Sequence, residues 1–183
     1  MAATVGSMAT PAVQLRPATS SDTGEVLTLQ RAAFVAEAQL YGEPDIQPLR
    51  DTPDDVRRAI GDPRTHVVVA VAVDETEGRP GRLLGSARLV VDPEGLAAVV
   101  GRIVVAPDVQ GRGLGSLLVQ ALHDLAAGLG VRRFELWTGG SSQSNLAFYR
   151  RHGYVDQETR QDDRGITLQV MRREVPAGST EPT

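Results

Sequence analysis

Gln110-Gly111-Arg112-Gly113-Leu114-Gly115-Ser116 is the stretch of this chain whose residue types and spacing suit chemistry on an anion. Three alternating glycines keep side chains away. Backbone N–H groups of a turn and of the first turn of a following helix can then converge on one phosphate or pyrophosphate, with the positive end of the helix dipole behind them. The β-branched run Ile103-Val104-Val105 leads into the turn, and Pro107 removes a backbone donor where a strand must part from its neighbour. After it, Leu114, Leu117, Leu118, Ala121, Leu122, Leu125, Ala126 and Leu129 recur at three- and four-residue steps. They predict a helix buried along that face, with Gln120, His123 and Asp124 opposite and Gly128 and Gly130 ending it.

Spacing separates the known phosphate loops. A dinucleotide fingerprint wants its third glycine where Ser116 stands, and a Walker loop wants a Gly-Lys-Ser/Thr ending in a chain that contains no lysine. A second stretch lies one strand further on. Residues 142–154 read SQSNLAFYRRHGY: Ser142 or Ser144 can cap a helix, Gly153 ends it, and Asn145 and Tyr149 stand four apart on one face. Between the two stretches, Phe134 to Thr138 reads as a strand.

Gln110-x-x-Gly113-x-Gly115 after Val-Val-Ala-Pro resembles the acetyl-CoA pyrophosphate signature of the GNAT superfamily of N-acetyltransferases, and the Asn145/Tyr149 stretch resembles that family's second motif. The resemblance implies an α/β fold of α+β type: one GNAT domain over residues 12–174, with a mixed sheet of about seven strands and helices on both faces. The strands either side of the phosphate helix would splay to admit the pantetheine arm. It further implies acetyl-CoA as co-substrate and direct transfer of the acetyl group to a primary amine in a ternary complex. Backbone groups of Ile103, Val104 and Val105 would hold the pantetheine and polarise the thioester. Gln110, Gly111, Arg112, Gly113, Leu114, Gly115 and Ser116 would bind the pyrophosphate. Asn145 would bind the cofactor arm, and Tyr149 would touch the cofactor and protonate the leaving thiolate. A homodimer is a further implication.

The acceptor amine must lose a proton, since an ordinary ammonium with a pKa of about 10.4 is protonated near neutrality. Glu135, on the strand at a position where many relatives carry glutamate, competes for the role of base with Glu37 and Glu43 near Tyr41. Strand alternation alone does not say which face Glu135 presents. His66, His123 and His152 have no metal spacing, and no metal site is expected. A non-catalytic acyl-CoA-binding module and a nucleotide-binding protein of other chemistry are the competing readings.

Composition agrees with one soluble domain. The 183 residues carry a net charge of −4, all of the cationic side chains are arginines, and there is no cysteine for disulfides, thiolate metal ligands or a Cys nucleophile. Scattered arginine pairs with few aromatics disfavour nucleic acid. The longest apolar run, Val67 to Val73, is too short for a membrane span. A cytoplasmic protein is expected, with an amine of a small molecule or peptide as partner. Residues 1–11 and 175–183 read as disordered tails. Between them the chain reads as a strand Val13 to Arg16 and a helix through Val26, Leu29, Ala33, Val35 and Ala36. An irregular segment from Phe34 to Thr52 follows, predicted to lie over the acceptor side, and then a helix capped by Thr52. The strands His66–Val73, Leu83–Val91 and Leu96–Val105 precede the phosphate helix, and two more, Tyr154–Glu158 and Ile166–Met171, close the fold.

Overall fold

The computed structural model describes residues 12–73 and 81–175. The expected tails at 1–11 and beyond Val175, and most of the connector from Asp74 to Gly81, lie outside the described residues. The elements are β1 (Val13–Pro17), α1 (Thr23–Tyr41), α2 (Gln47–Arg50), α3 (Pro53–Gly61), β2 (Thr65–Ala72), β3 (Leu83–Val91), β4 (Ala97–Val105), α4 (Leu114–Gly128), β5 (Arg133–Gly139), α5 (Gln143–Arg151), β6 (Val155–Gln161) and β7 (Thr167–Glu174). They form one mixed seven-stranded sheet in the order β1-β2-β3-β4-β5-β7-β6, antiparallel throughout except for β4 beside β5.

Burial explains the pattern of the strands. Val69 and Ala70 of β2 point to opposite faces and both are fully buried, so helices cover the sheet on both sides. The edge strand β6, Val-Asp-Gln-Glu-Thr-Arg-Gln, is exposed along nearly its whole length. Thr52 caps α3 as its sequence predicts: its side chain accepts from the Asp55 amide at 3.3 Å, and Asp55 accepts from the Thr52 amide at 2.9 Å.

The feature that makes a site is the parting of β4 from β5. They pair only at Ala97↔Arg133, Ala98↔Phe134 and Val99↔Glu135. Just beyond, β4 carries one more residue than its partner β3: Ser86 lies opposite Val104, but Arg88 lies opposite Gly101. Arg102 occupies this bulge with φ at 51°, a left-handed conformation that costs a side-chain-bearing residue roughly 1–2 kcal/mol. Its guanidinium is held by Asp51 at 3.1 Å. A bulge bends its strand and increases its twist, which turns β4 away from β5.

Two helices differ from the sequence expectation. The segment from Phe34 to Thr52 is not irregular throughout: α1 runs on to Tyr41, where Gly42 at φ 62° ends it, and only then does the chain turn into α2. Pro44 and Pro48 act after that stop. On α4 the buried stripe is rotated, leaving Leu117 and Leu129 about half exposed while Val119 and His123 are buried. The reason is tertiary. His123 packs on the Phe134 ring at 4.6 Å, and its Nε2 meets the Tyr154 hydroxyl at 2.9 Å, so a polar ring enters the core with its hydrogen bond made.

That burial makes a prediction. Desolvation, with Arg173 nearby, lowers the His123 pKa from 6.5 to about 4, so the unfolded chain binds a proton there that the folded chain refuses. Stability gained from this group is complete above pH 6.5 and is lost as the pH falls towards 4, by roughly 3 kcal/mol. Chemical denaturation across that range should show the loss in the native chain and a flatter profile in His123→Gln; parallel profiles would exclude it.

Candidate active site

Beyond Val99 the gap between β4 and β5 opens into a continuous cavity of about 1000 Å³. At one end lies the glycine turn. Gly111 and Gly113 have φ of 76° and 86°, and the space where a side chain would start is open at both, so backbone conformation and not crowding calls for glycine. Gly113 is the N-cap of α4. Gly115 is different: it has no positive φ, and a β-carbon there would meet the Phe148 ring at 3.4 Å, an ordinary van der Waals contact. Ser116 Oγ sits 3.0 Å from His152 Nε2, and burial together with Arg151 and Arg173 holds His152 below its usual pKa.

The ladder of β4 settles which backbone faces the gap. Ala106 N donates to Leu84 O, so Val105, opposite Gly85, belongs to a pair that does not bond across, and its N–H and C=O turn to the open side. Its carbonyl accepts the Gln110 side-chain amide at 3.1 Å. Val104, opposite Ser86, turns its amide towards β3. Ile103, Val104, Val105, Gln110, Gly111, Gly113, Leu114, Gly115 and Ser116 all line the cavity, whereas Arg112 does not.

On α5, Asn145 and Tyr149 reach the same cavity, as their four-residue spacing requires. Asn145 Nδ2 approaches Thr138 Oγ1 at 3.4 Å. The Tyr149 hydroxyl makes no hydrogen bond among the described residues. Burial raises its pKa, and the charge of Glu37 raises it further.

Glu37 arrives from α1. Ala33, Glu37 and Tyr41, at steps of four, share the helix face that lines the other end of the cavity. The outer end of the Tyr41 ring approaches Gly139 so closely that any side chain there would collide with it, and its hydroxyl accepts the Ser141 amide at 3.0 Å. Burial raises the Glu37 pKa, and the Gly139 amide and Arg102 partly offset that rise. Of the three carboxylates the sequence leaves in competition, this is the one the fold brings to the cavity. Glu135 sits at Val99↔Glu135, the last point at which β4 and β5 are still paired, below the gap; its carboxylate is 3.2 Å from Arg172. Glu43 accepts the Asp45 amide in a local turn and lies outside the lining.

Sequence reasoning missed Arg88, Arg102 and Trp137, which also line the acceptor end. The signal was present for the arginines, each a charged residue interrupting an otherwise apolar strand. The turn between β6 and β7 covers this end: Asp163 pairs with Arg50 at 2.7 Å, and Arg164 pairs with Asp45. Exposed pairs of this kind are worth under about 1 kcal/mol each, so the cover is weakly held.

A mixed sheet splayed at β4/β5, with a glycine turn opening a helix in the gap, defines a coenzyme A-dependent acetyltransferase fold. Residues 28–154 match the Acetyltransferase (GNAT) family, and the chain belongs to that family, whose co-substrate is acetyl-CoA. The mycothiol acetyltransferase of Geodermatophilus obscurus is 32% identical over 158 residues, covering 86% of this chain and 43% of that protein. The chain spans about half or less of the length of the curated relatives it matches. Among solved structures, the ribosomal-protein-S18-alanine N-acetyltransferase from Escherichia coli superposes with a TM-score of 0.71 at 17% identity, covering 94% of this chain and all of the other. The PaiA N-acetyltransferase from Thermoplasma acidophilum, crystallised with coenzyme A, superposes at 0.67 and 12% identity, covering 90% of this chain and 99% of the other. No helix among the described residues is long and apolar enough to cross a membrane.

Proposed function

We propose that the protein transfers an acetyl group from acetyl-CoA to a primary amine by direct attack in a ternary complex, with Glu37 as base and Tyr149 as acid. The observation that carries this reading is that the two side chains line one cavity together with the glycine turn. Residues along the cavity from the glycine turn fit the coenzyme. The turn from Gln110 to Ser116 would take the pyrophosphate on its amides, the open edge of β4 at Val105 would pair with the pantetheine arm, and Asn145 would bind that arm from α5. Arg112 stands beside this end as a long-range charge and not as a wall.

Bound acetyl-CoA supplies the thioester that carries the acetyl group. The protein's part is proton traffic and orientation. A Glu37 Oε, directly or through one water, takes the proton that the ammonium must lose before its nitrogen can attack. An outward-facing N–H of β4 in the Ile103 to Val105 stretch would be a fixed donor for charge that builds on a carbonyl oxygen in the gap. Tyr149 Oη gives its proton to the departing sulfur. A phenol is protonated at working pH already at its ordinary value, and burial, which raises its pKa, makes it a weaker acid that parts with its proton only as charge builds on the sulfur; the second proton released by the acylated nitrogen restores it.

Acetyl-CoA incubated with a panel of amines, followed by free-thiol release and by mass of the product, should show transfer to at least one amine. Protection against heat by acetyl-CoA with no turnover on any amine would favour an acyl-CoA-binding module instead.

A further inference from the structure

The Glu37 end of the cavity holds two guanidiniums, Arg88 and Arg102, beside the carboxylates of Asp51 and Glu37, and only one of the two guanidiniums is partnered among the described residues. Arg88, on β3 opposite Gly101, lines the cavity yet makes no ion pair or hydrogen bond among the described residues. Arg102, its neighbour on β4, is engaged: Nε donates to Asp51 at 3.1 Å and Nη2 to the side chain of Gln47. Asp51 is itself occupied, since Gln30 Nε2 donates to it at 2.8 Å, Gln47 Nε2 at 2.9 Å and Arg102 Nε at 3.1 Å. Asp51 therefore already accepts three hydrogen bonds, one of them from Arg102, and none from Arg88.

None of the other nearby acids partners Arg88. Glu37 stands at the same end and feels the charge of Arg102, but it makes no ion pair with either guanidinium among the described residues. Asp163 is tied to Arg50. Asp162 accepts the amides of Arg164 and Ile166. On the outer side of Arg88, a shallow groove contains Asp55, bound by Thr52 and Arg58, and Asp62, bound by the Arg64 amide and Thr65. Burial and the charge of Arg102 disfavour a cation at Arg88, and only Asp51 favours it. A half-buried guanidinium left without a partner beside a second one is costly to keep. It is repaid when a planar anion accepts both of its outer N–H groups.

We propose that Arg88 anchors a carboxylate of the acceptor, so that the acceptor is a small amino acid held by its carboxylate at Arg88 and presenting its amine towards Glu37. This rests on the acetyl-transfer reading above and narrows its substrate class. Simple amines and polyamines carry no anion for Arg88 and would leave its guanidinium without a partner.

The test compares amino acids with their carboxamides as acceptors, which keep the amine and side chain but lose the charge. With acetyl-CoA and the native chain, kcat/KM should favour the acid over the matched amide by roughly 10- to 100-fold, the range for one charge-assisted bidentate contact. Arg88→Met should bring that ratio close to one, and Arg88→Lys should leave it intermediate, because the charge survives but the fork geometry does not. Thermal melts with and without coenzyme A verify that both variants are folded. Equal use of acid and amide by the native chain would overturn the proposal. So would transfer to simple amines with no amino acid accepted, or an unchanged ratio in Arg88→Met. If no amine of any kind is acetylated, the acetyl-transfer reading fails on its own. Calorimetric binding of the same acid and amide pairs to the coenzyme A complex then decides the Arg88 anchor: preference for the acid that vanishes in Arg88→Met supports it, and no preference overturns it.

Discussion

Glu37→Gln is expected to lower kcat/KM for acetyl transfer by roughly 10²- to 10³-fold, the range that a positioned general base contributes, and to remove the acid limb of the pH profile. The sign follows from the direction of the shift. Burial raises the Glu37 pKa above the ordinary carboxylate value of 4.5, so the base form is gained, and the rate climbs, as the pH rises through that displaced value. In the glutamine variant only the titration of the acceptor amine should shape the profile. Glutamine keeps the size of the side chain and can still face the Gly139 amide, so the fold should survive; a thermal melt checks this. The substitution has a second signature. The charge of Glu37 contributes to the raised pKa of Tyr149, so the phenol should titrate at lower pH once that charge is gone, readable as an ultraviolet shift of one tyrosine. An unaltered pH–rate profile in Glu37→Gln would rule this carboxylate out as the base.

Tyr149→Phe is expected to lower kcat by roughly 10²-fold or more with little change in KM for acetyl-CoA, as befits a proton given only when the carbon–sulfur bond breaks. The loss should depend on the leaving group. An acetyl thioester of a more acidic thiol needs less help to depart and should recover part of the missing rate in the phenylalanine variant, while leaving the native enzyme less affected. The hydroxyl makes no hydrogen bond among the described residues, so its removal leaves no buried partner orphaned, and stability should change by less than about 1 kcal/mol. A variant with native kcat, or one whose defect lies wholly in KM for acetyl-CoA, would make Tyr149 a packing or binding residue and assign the leaving-group proton to solvent.

These two residues were not equally visible from the chain. Tyr149 and Asn145 share a face because they are four apart on one helix, a relation set within a few residues of sequence. The glycine turn was readable for the same reason: φ above zero at Gly111 and Gly113 is a local demand. The strand order of types, and the cap at Thr52, were likewise local. Glu37 against Glu135 was not. Choosing between them required knowing that α1 continues to Tyr41, that β4 and β5 remain paired up to Glu135, and that the bulge at Arg102 opens the gap only above that point.

His123 shows the same limit from the other side. Its helical position placed it with Gln120 and Asp124 on the polar face, and only the arrival of Phe134 and the Tyr154 hydroxyl, 11 and 31 residues away, made its burial favourable. Arg88 is a further case, since an arginine within an apolar strand reads as an edge or a surface until the neighbouring guanidinium and the occupied Asp51 are seen together. By itself, the sequence determined most of the elements and the glycine turn, whose geometry is written in dihedral preferences and in periodicity over a few residues. Tertiary structure decided which carboxylate reaches the cavity, which edge of β4 is open and which guanidinium there is left without a partner, because each depends on which distant segments meet, on how much water they exclude, and on which hydrogen bonds remain to be made once they have met.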